Sequence, residues 1–235
     1  MMAIRGILFD KDGTLIDVNG TWVAIYRHML QELFDTDVEG ADRMMAMAGF
    51  DPATQQFRAG SVLAGGTTRE LIDIWWPGLS AEGVAEKQRI IDVDYAPVAK
   101  AYLTPLMPLE PILSELRSMK LRLGVATNDT LLSARNHLEH LAVASYFDVI
   151  ISADTVETPK PSGDMIRKFA AHTGLAPAEI AMVGDNLHDI EEARNGGAGL
   201  AVAVLSGNAA HHDIAHLADH TLASVAELPS LMRSL

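Results

Sequence analysis

Cysteine is absent from the 235 residues, which excludes disulfides, thiolate metal sites and thiol nucleophiles. Basic residues are scarce: 18 Lys and Arg stand against 31 Asp and Glu, a formal net charge of −13. That balance repels the phosphate backbone that nucleic-acid binders neutralise with Lys and Arg, so no nucleic-acid partner is expected. No apolar run approaches the ~18 residues needed to span a bilayer. The N-terminal run is broken by Arg5 and ends at Asp10, which is too short for an export signal. A soluble, cytoplasmic protein with no membrane partner is expected. Glycine and proline, at 18 and 10, are too few for a fibrous or disordered chain. What remains is an ordinary globular mixture, 49% apolar and 21% charged, with length for one large domain or a domain plus a smaller insert.

Ile4, Ile7, Leu8 and Phe9 form a short apolar run that stops at Asp10-Lys11-Asp12-Gly13-Thr14, which reads as a buried strand feeding a polar loop. Residues 121–126, 148–151 and 180–183 repeat the form and run into Thr127-Asn128-Asp129, Ser152-Ala153-Asp154 and Gly184-Asp185-Asn186. Further strands are expected at 200–205 and 220–222. Helical patterns lie between, at 111–119, 131–141, 165–172 and 187–194, with Gly174 and Gly196-Gly197 as stop signals. Alternating strand and helix predicts an α/β fold with a parallel, Rossmann-like sheet covered on both faces.

The spacing is uneven. Asp10 and Thr127 lie 117 positions apart, whereas one strand-helix-strand unit needs about 30 residues. The excess, 18–102, carries helix-period stretches at 22–34, 41–48, 69–76 and 84–101 and few β-branched runs. It is expected to form a small helical domain inserted into a core made of 1–17 and 103–235, with hinges near Asp17 to Gly20 and Thr104 to Pro108.

Ligands of an open parallel sheet bind beyond the carboxyl ends of its strands, where Asp10, Thr127, Lys160 and Asp185 all fall. Alternation in an extended segment would set Asp10 and Asp12 side by side and turn Lys11 away. One carboxylate could attack phosphorus, and the other could shuttle the proton. A solvated turn explains the same residues more plainly. Oxygen ligands from Asp10 and Asp185, with Asp189 one helical turn on, suit Mg²⁺, although Asp185 or Asn186 would also serve as a helix cap. Thr127 and Asn128 precede a helix N-terminus, a natural phosphate site, and Lys160 is pinned between Pro159 and Pro161.

Together, Asp10-Lys11-Asp12-Gly13-Thr14, Thr127-Asn128, Lys160-Pro161 and Gly184-Asp185-Asn186-Leu187-His188-Asp189 resemble the four motifs of the haloacid dehalogenase superfamily. The resemblance covers nearly the whole chain, and 18–102 looks like the superfamily's C1-type helical cap. It implies a phosphatase of the phosphoglycolate phosphatase-like branch, with Asp10 as nucleophile and Asp12 as general acid and base. It further implies phosphate binding by Thr127, Asn128 and Lys160, and Mg²⁺ held by Asp10, the backbone carbonyl of Asp12, and Asp185, supported by Asp189. The substrate would be a small phosphorylated metabolite, and the protein a monomer or small homo-oligomer. The loop Gly65-Gly66-Thr67-Thr68-Arg69-Glu70 is similar to one that reads the leaving group in sugar-phosphate mutases, which makes Arg69 a candidate substrate contact, yet Thr67 and Glu70 also fit a helix capping box. Met44, Met45 and Met47 are expected to pack a helix core, and Trp75 and Trp76 to close a packed helix end. A phosphomutase, a phospho-accepting receiver domain and a non-catalytic binding module are the rival readings.

Overall fold

The computed structural model describes residues 3–235. Six short strands form one parallel sheet: β1 (Gly6–Phe9), β4 (Arg122–Thr127), β5 (Val149–Ser152), β6 (Ile180–Gly184), β7 (Leu200–Val204) and β8 (His220–Leu222). Their order is β5-β4-β1-β6-β7-β8, so β1 is central. Phe9 is paired with Val125 on β4 and with Val183 on β6. That register sets the polar residues following all three strands along one edge of the sheet.

Side chains alternate between the two faces, and each face has its own core. Ile7, Phe9, Leu123, Val125 and Val183 pack with Leu113 and Leu116 of α7 (Leu109–Ser118), Leu138 of α8 (Leu131–His140) and Leu228 of α12 (Leu228–Ser234). On the opposite face Leu8, Ala126, Met182 and Ala201 meet Met165, Ile166 and Phe169 of α9 (Asp164–Thr173) and Ile190 and Ala193 of α10 (Leu187–Gly196). This is the expected α/β architecture. The short α11 (His211–Ile214) keeps His211 and His212 exposed at the surface.

Between β1 and α7 the chain builds α1 (Val18–Phe34), α2 (Val38–Met47), α3 (Val62–Gly65), α4 (Thr68–Trp75), α5 (Ala81–Arg89) and α6 (Ala96–Tyr102). A hairpin of two-residue strands, β2 (Phe50–Asp51) and β3 (Gln56–Phe57), lies among them and was not expected from the sequence. Trp22, Tyr26, Met29, Met45, Phe50, Leu71 and Trp75 form a third apolar cluster inside this segment. Met45 is buried there and Met44 half-buried, whereas Met47 faces solvent on the other side of α2. Trp75 donates its indole N–H to Met44 O (3.0 Å), and Trp76 stacks on Phe34. The helix expected over 84–101 is interrupted by a π turn at Ile90–Asp94. Pro97 in the first turn of α6 has no N–H for the preceding turn and crowds its carbonyls, so the ladder opens there.

Candidate active site

The sheet register and one tight loop assemble the site. Asp10 follows β1, and its N–H donates to Val183 O (2.8 Å), which ties it to β6. The chain then folds back: Gly13 N–H donates to Ile16 O, and Leu15 and Ile16 N–H both donate to Lys11 O. Gly13 has φ +90°, and a Cβ at that position would stand 2.5 Å from the Asp185 carboxylate. Both the backbone angle and the close approach require glycine here.

This turn overrides the expected orientation of Lys11. The side chain is fully buried, with Nζ 2.6 Å from Asp12 Oδ2, 3.2 Å from Asp129 Oδ2 and 3.2 Å from His137 Nδ1. Strict alternation fails because the segment leaves the extended form at Asp12, and the flexible stem carries the ammonium to two carboxylates that burial would otherwise leave unpaired. Burial pulls the Lys11 ammonium down, but Asp12 and Asp129 outweigh it and hold it above its ordinary range. Asp12 also accepts from the indole N–H of Trp22 on α1 (2.7 Å, Oδ1). Burial alone would raise Asp12, yet Lys11 and the indole donor keep its carboxyl below the usual value. His137, buried beside Lys11, is pushed down to about 4 and stays neutral at pH 7.

Lys160 forms the second buried cationic centre. Its Nζ lies 2.6 Å from Asp10 Oδ1 and 2.7 Å from Asp189 Oδ1. Its backbone is held by Asn128, whose Oδ1 accepts from Lys160 N–H (3.1 Å) and whose Nδ2 donates to Lys160 O (3.3 Å). That Nδ2 also reaches Gly65 O of α3 (2.9 Å). The Asn128 side chain is therefore committed to protein groups. Thr127 Oγ1 accepts from Asp129 N–H (3.1 Å), which leaves its own hydrogen to donate. Asp189 closes the capping box of α10 through Asn186 N–H (3.0 Å), while Asn186 Nδ2 points to Ala64 O of α3 (3.4 Å).

Asp10, Asp185 and Asp189 each offer an oxygen within 4.8 Å of the others, and all three are buried. Burial raises Asp10 to about 7 against the lowering effect of Lys160, with Asp189 and Asp12 adding to the rise. Asp185 is pushed well above its ordinary value by burial, then by Asp10 and Asp189. One lysine does not balance three carboxylates, and Asp10 Oδ2 is buried with no hydrogen-bond partner. A donor set of this kind, hard, anionic and short of positive charge, fits a divalent cation.

These groups surround a cavity of about 60 Å³, roofed by Val62, Leu63, Ala64, Gly65 and Leu71 of the helical segment. Asp10, Asp12, Thr127, Asn128, Lys160, Asp185 and Asp189 all line it. Arg69 does not. It lies in a wider cleft next door, largely exposed and paired with Asp73 (2.9 Å), while Thr67 and Glu70 make the capping box of α4. Asn186, one of the two helix-cap candidates, is the N-cap of α10, whereas two residues near the site escaped the sequence reading: Trp22 and His188. Their signal, a polar atom near the Asp10–Gly13 turn in space, comes from packing between distant segments.

Comparison with known proteins places the geometry in context. A model of haloacid dehalogenase-like hydrolases matches residues 7–203. The chain is 29% identical over 199 residues to phosphoglycolate phosphatase of Escherichia coli (strain K12), covering 83% of this chain and 79% of that one. It is 26% identical over 225 residues to pyrophosphatase PpaX of Bacillus velezensis, covering 96% and 94%. Among solved structures, CbbY from Rhodobacter sphaeroides in complex with phosphate superimposes with a TM-score of 0.72 at 22% identity, covering 96% of each chain.

Proposed function

The chain belongs to the haloacid dehalogenase-like hydrolases, and from that premise we propose that it is a Mg²⁺-dependent phosphatase acting on a small phosphomonoester through a phospho-Asp10 intermediate. The observation that carries this reading is the buried pairing of Lys160 with Asp10 and Asp189 beside the unpartnered Oδ2 of Asp10. The names of relatives add two substrate classes to test, phosphoglycolate and pyrophosphate.

In this reading an oxygen of Asp10 attacks phosphorus, the phosphorus–oxygen ester bond breaks, and an acyl phosphate forms on Asp10. The departing oxygen takes its proton from Asp12, whose carboxyl the negative charge of the bound phosphate would raise toward the protonated form before transfer. Asp12, now a carboxylate, then takes a proton from water as that water's oxygen attacks phosphorus, which releases phosphate and restores Asp10. Lys11 and Trp22 bias Asp12 toward the ionised form that the second half needs. Lys160 and the Thr127 hydroxyl would hold phosphoryl oxygens, the lysine as a charge and the hydroxyl as a donor. Asp10, the Asp12 carbonyl and Asp185 would hold Mg²⁺, with Asp189 supporting. When bound, the ion offsets the charge of the phosphate and stabilises the transition state. The segment 18–102 acts as a cap that excludes bulk water and sets the size of what enters. A mutase would pass the phosphoryl group to a sugar hydroxyl instead of water, so free inorganic phosphate separates the two readings.

The test is phosphate release from a panel of small phosphate esters with Mg²⁺ present. Wild type is expected to liberate inorganic phosphate, and Asp10→Asn to lose at least ~10³-fold in rate, because an amide is a poor nucleophile. Substantial turnover by Asp10→Asn, or phosphoryl transfer to a sugar with no free phosphate, would falsify the assignment.

A further inference from the structure

Each oxygen of the Asp12 carboxyl has its own donor. Trp22 of α1 gives its indole N–H to Oδ1 (2.7 Å), and the Lys11 ammonium lies 2.6 Å from Oδ2. The two donors differ in kind. Lys11 is a point charge shared with Asp129 Oδ2 (3.2 Å) and His137 Nδ1 (3.2 Å), and an ammonium turns to suit its acceptors. The indole has a single N–H in a fixed direction. A carboxyl without such a partner turns in a broad well about its Cβ–Cγ bond. The direction in which Asp12 is set is therefore supplied by Trp22.

The indole is itself fixed. Its ring stacks on Tyr26 (centroids 5.1 Å apart, planes at 22°) and meets His137 edge-on (5.4 Å, 66°). Lys11 Nζ stands 5.3 Å from the ring centroid, so the two donors to Asp12 are braced against each other. Tyr26 in turn abuts Trp75 (5.4 Å, 70°) within the apolar cluster of the helical segment. A phenylalanine ring would supply stacking and edge contacts of the same kind. The N–H is the part that packing does not call for, and it points at the carboxyl to which the reaction assigns both proton transfers. Trp22 and Asp12 line the same cavity.

We propose that Trp22 is a positioning residue for proton transfer: its indole N–H sets the Asp12 carboxyl about its Cβ–Cγ bond in the orientation from which it serves the departing oxygen. The inference rests on the phosphatase reading given above and deepens it. As an Asp10 oxygen bonds to phosphorus and the ester bond breaks, the electron pair of that bond goes to the departing oxygen, which takes the proton from Asp12. The indole keeps its own proton throughout. An ionised carboxylate offers about four acceptor sites, so the two donors leave room for the transferred proton. Misplacing a reacting group by about 1 Å can cost ~10²-fold in rate, which is the scale on which one orienting bond acts. The loss falls on leaving groups that need the proton: an alkoxide does, and a carboxylate does not.

The test compares kcat/KM, which covers the steps through departure of the leaving group, for wild type and Trp22→Phe on 2-phosphoglycolate, ethyl phosphate and acetyl phosphate with Mg²⁺ present. The first two lose an alkoxide. Acetyl phosphate matches ethyl phosphate in length and loses acetate. In Trp22→Phe the ratio of alkyl ester to acetyl phosphate should fall by about tenfold or more. In single-turnover formation of phospho-Asp10 from the alkyl ester, Asp12→Asn should be slower still. Adding Trp22→Phe to it should cost under about twofold more, because the N–H then has no proton donor to set. Should Trp22→Phe prove unfolded by circular dichroism, benzothienylalanine incorporated at position 22, which exchanges only the N–H for sulfur, reads the same ratio. A ratio unchanged within about twofold, as from a uniform loss on all three compounds, or losses from the two substitutions that simply multiply, overturns the role of Trp22 while the phosphatase reading stands. Absence of phosphate release from every compound by wild type overturns both.

Discussion

Lys11 shows how one side chain can matter to the fold as much as to the chemistry. It neutralises Asp12 and Asp129 in a place where none of the three groups is freely hydrated. Lys11→Met should therefore cost about 2–3 kcal/mol in urea unfolding, because it leaves two partly buried carboxylates without their counter-ion. A loss under 1 kcal/mol would mean that water replaces the ammonium. The position of Lys11 could not be read from the sequence, since period-two alternation holds only while the backbone stays extended, and Gly13 ends that at once. The gathering of Asp10, Thr127, Lys160 and Asp185 was legible, because each follows an apolar run or is fixed between prolines. Trp22 and His188 were not legible. An indole and an imidazole at helical spacing look like packing residues until the opposite wall is known.

Among the elements, the parallel strands and core helices were legible because each carries its own signals: a short apolar run, a capping residue, a closing glycine. The β2-β3 hairpin was not, since two-residue strands have no period to detect. The π turn at Ile90–Asp94 was also hidden, and it has a consequence for pH. Asp92 on that turn is buried near Thr130, Asp129 and Asp154, against α8. Burial, with Asp129 adding, raises its carboxyl to about 7 against a hydrogen bond involving Thr130. The folded form thus keeps a proton that the unfolded chain releases near 3.8, and the stability linked to that proton, complete below about 4, declines as pH rises toward 7. Asp92→Asn should be more stable than wild type at pH 8, by about 1–2 kcal/mol, with the gap closing at pH 4. Thermal denaturation at both pH values checks this. An equal offset at the two would disprove the linkage.

For the whole molecule, charge is the dominant fact. A net of −13 includes buried carboxylates at the very edge where the sheet's central strands end. A cation that binds only the folded chain stabilises it by mass action, about 2.7 kcal/mol at a hundredfold excess over Kd. Mg²⁺ should accordingly raise Tm, EDTA should reverse the rise, and Asp185→Asn should abolish the response. A Tm indifferent to Mg²⁺ in wild type would speak against the cation site.

Asn128 and Asn186 link the two halves of the structure. Each spends one amide N–H on a carbonyl of α3, while the same residues fix the backbone of Lys160 and the start of α10. Lifting the roof would break both bonds to α3 together. Any displacement of α3 would therefore be felt at both asparagines at once, which ties the setting of the helical segment to the footing of Lys160 and of α10.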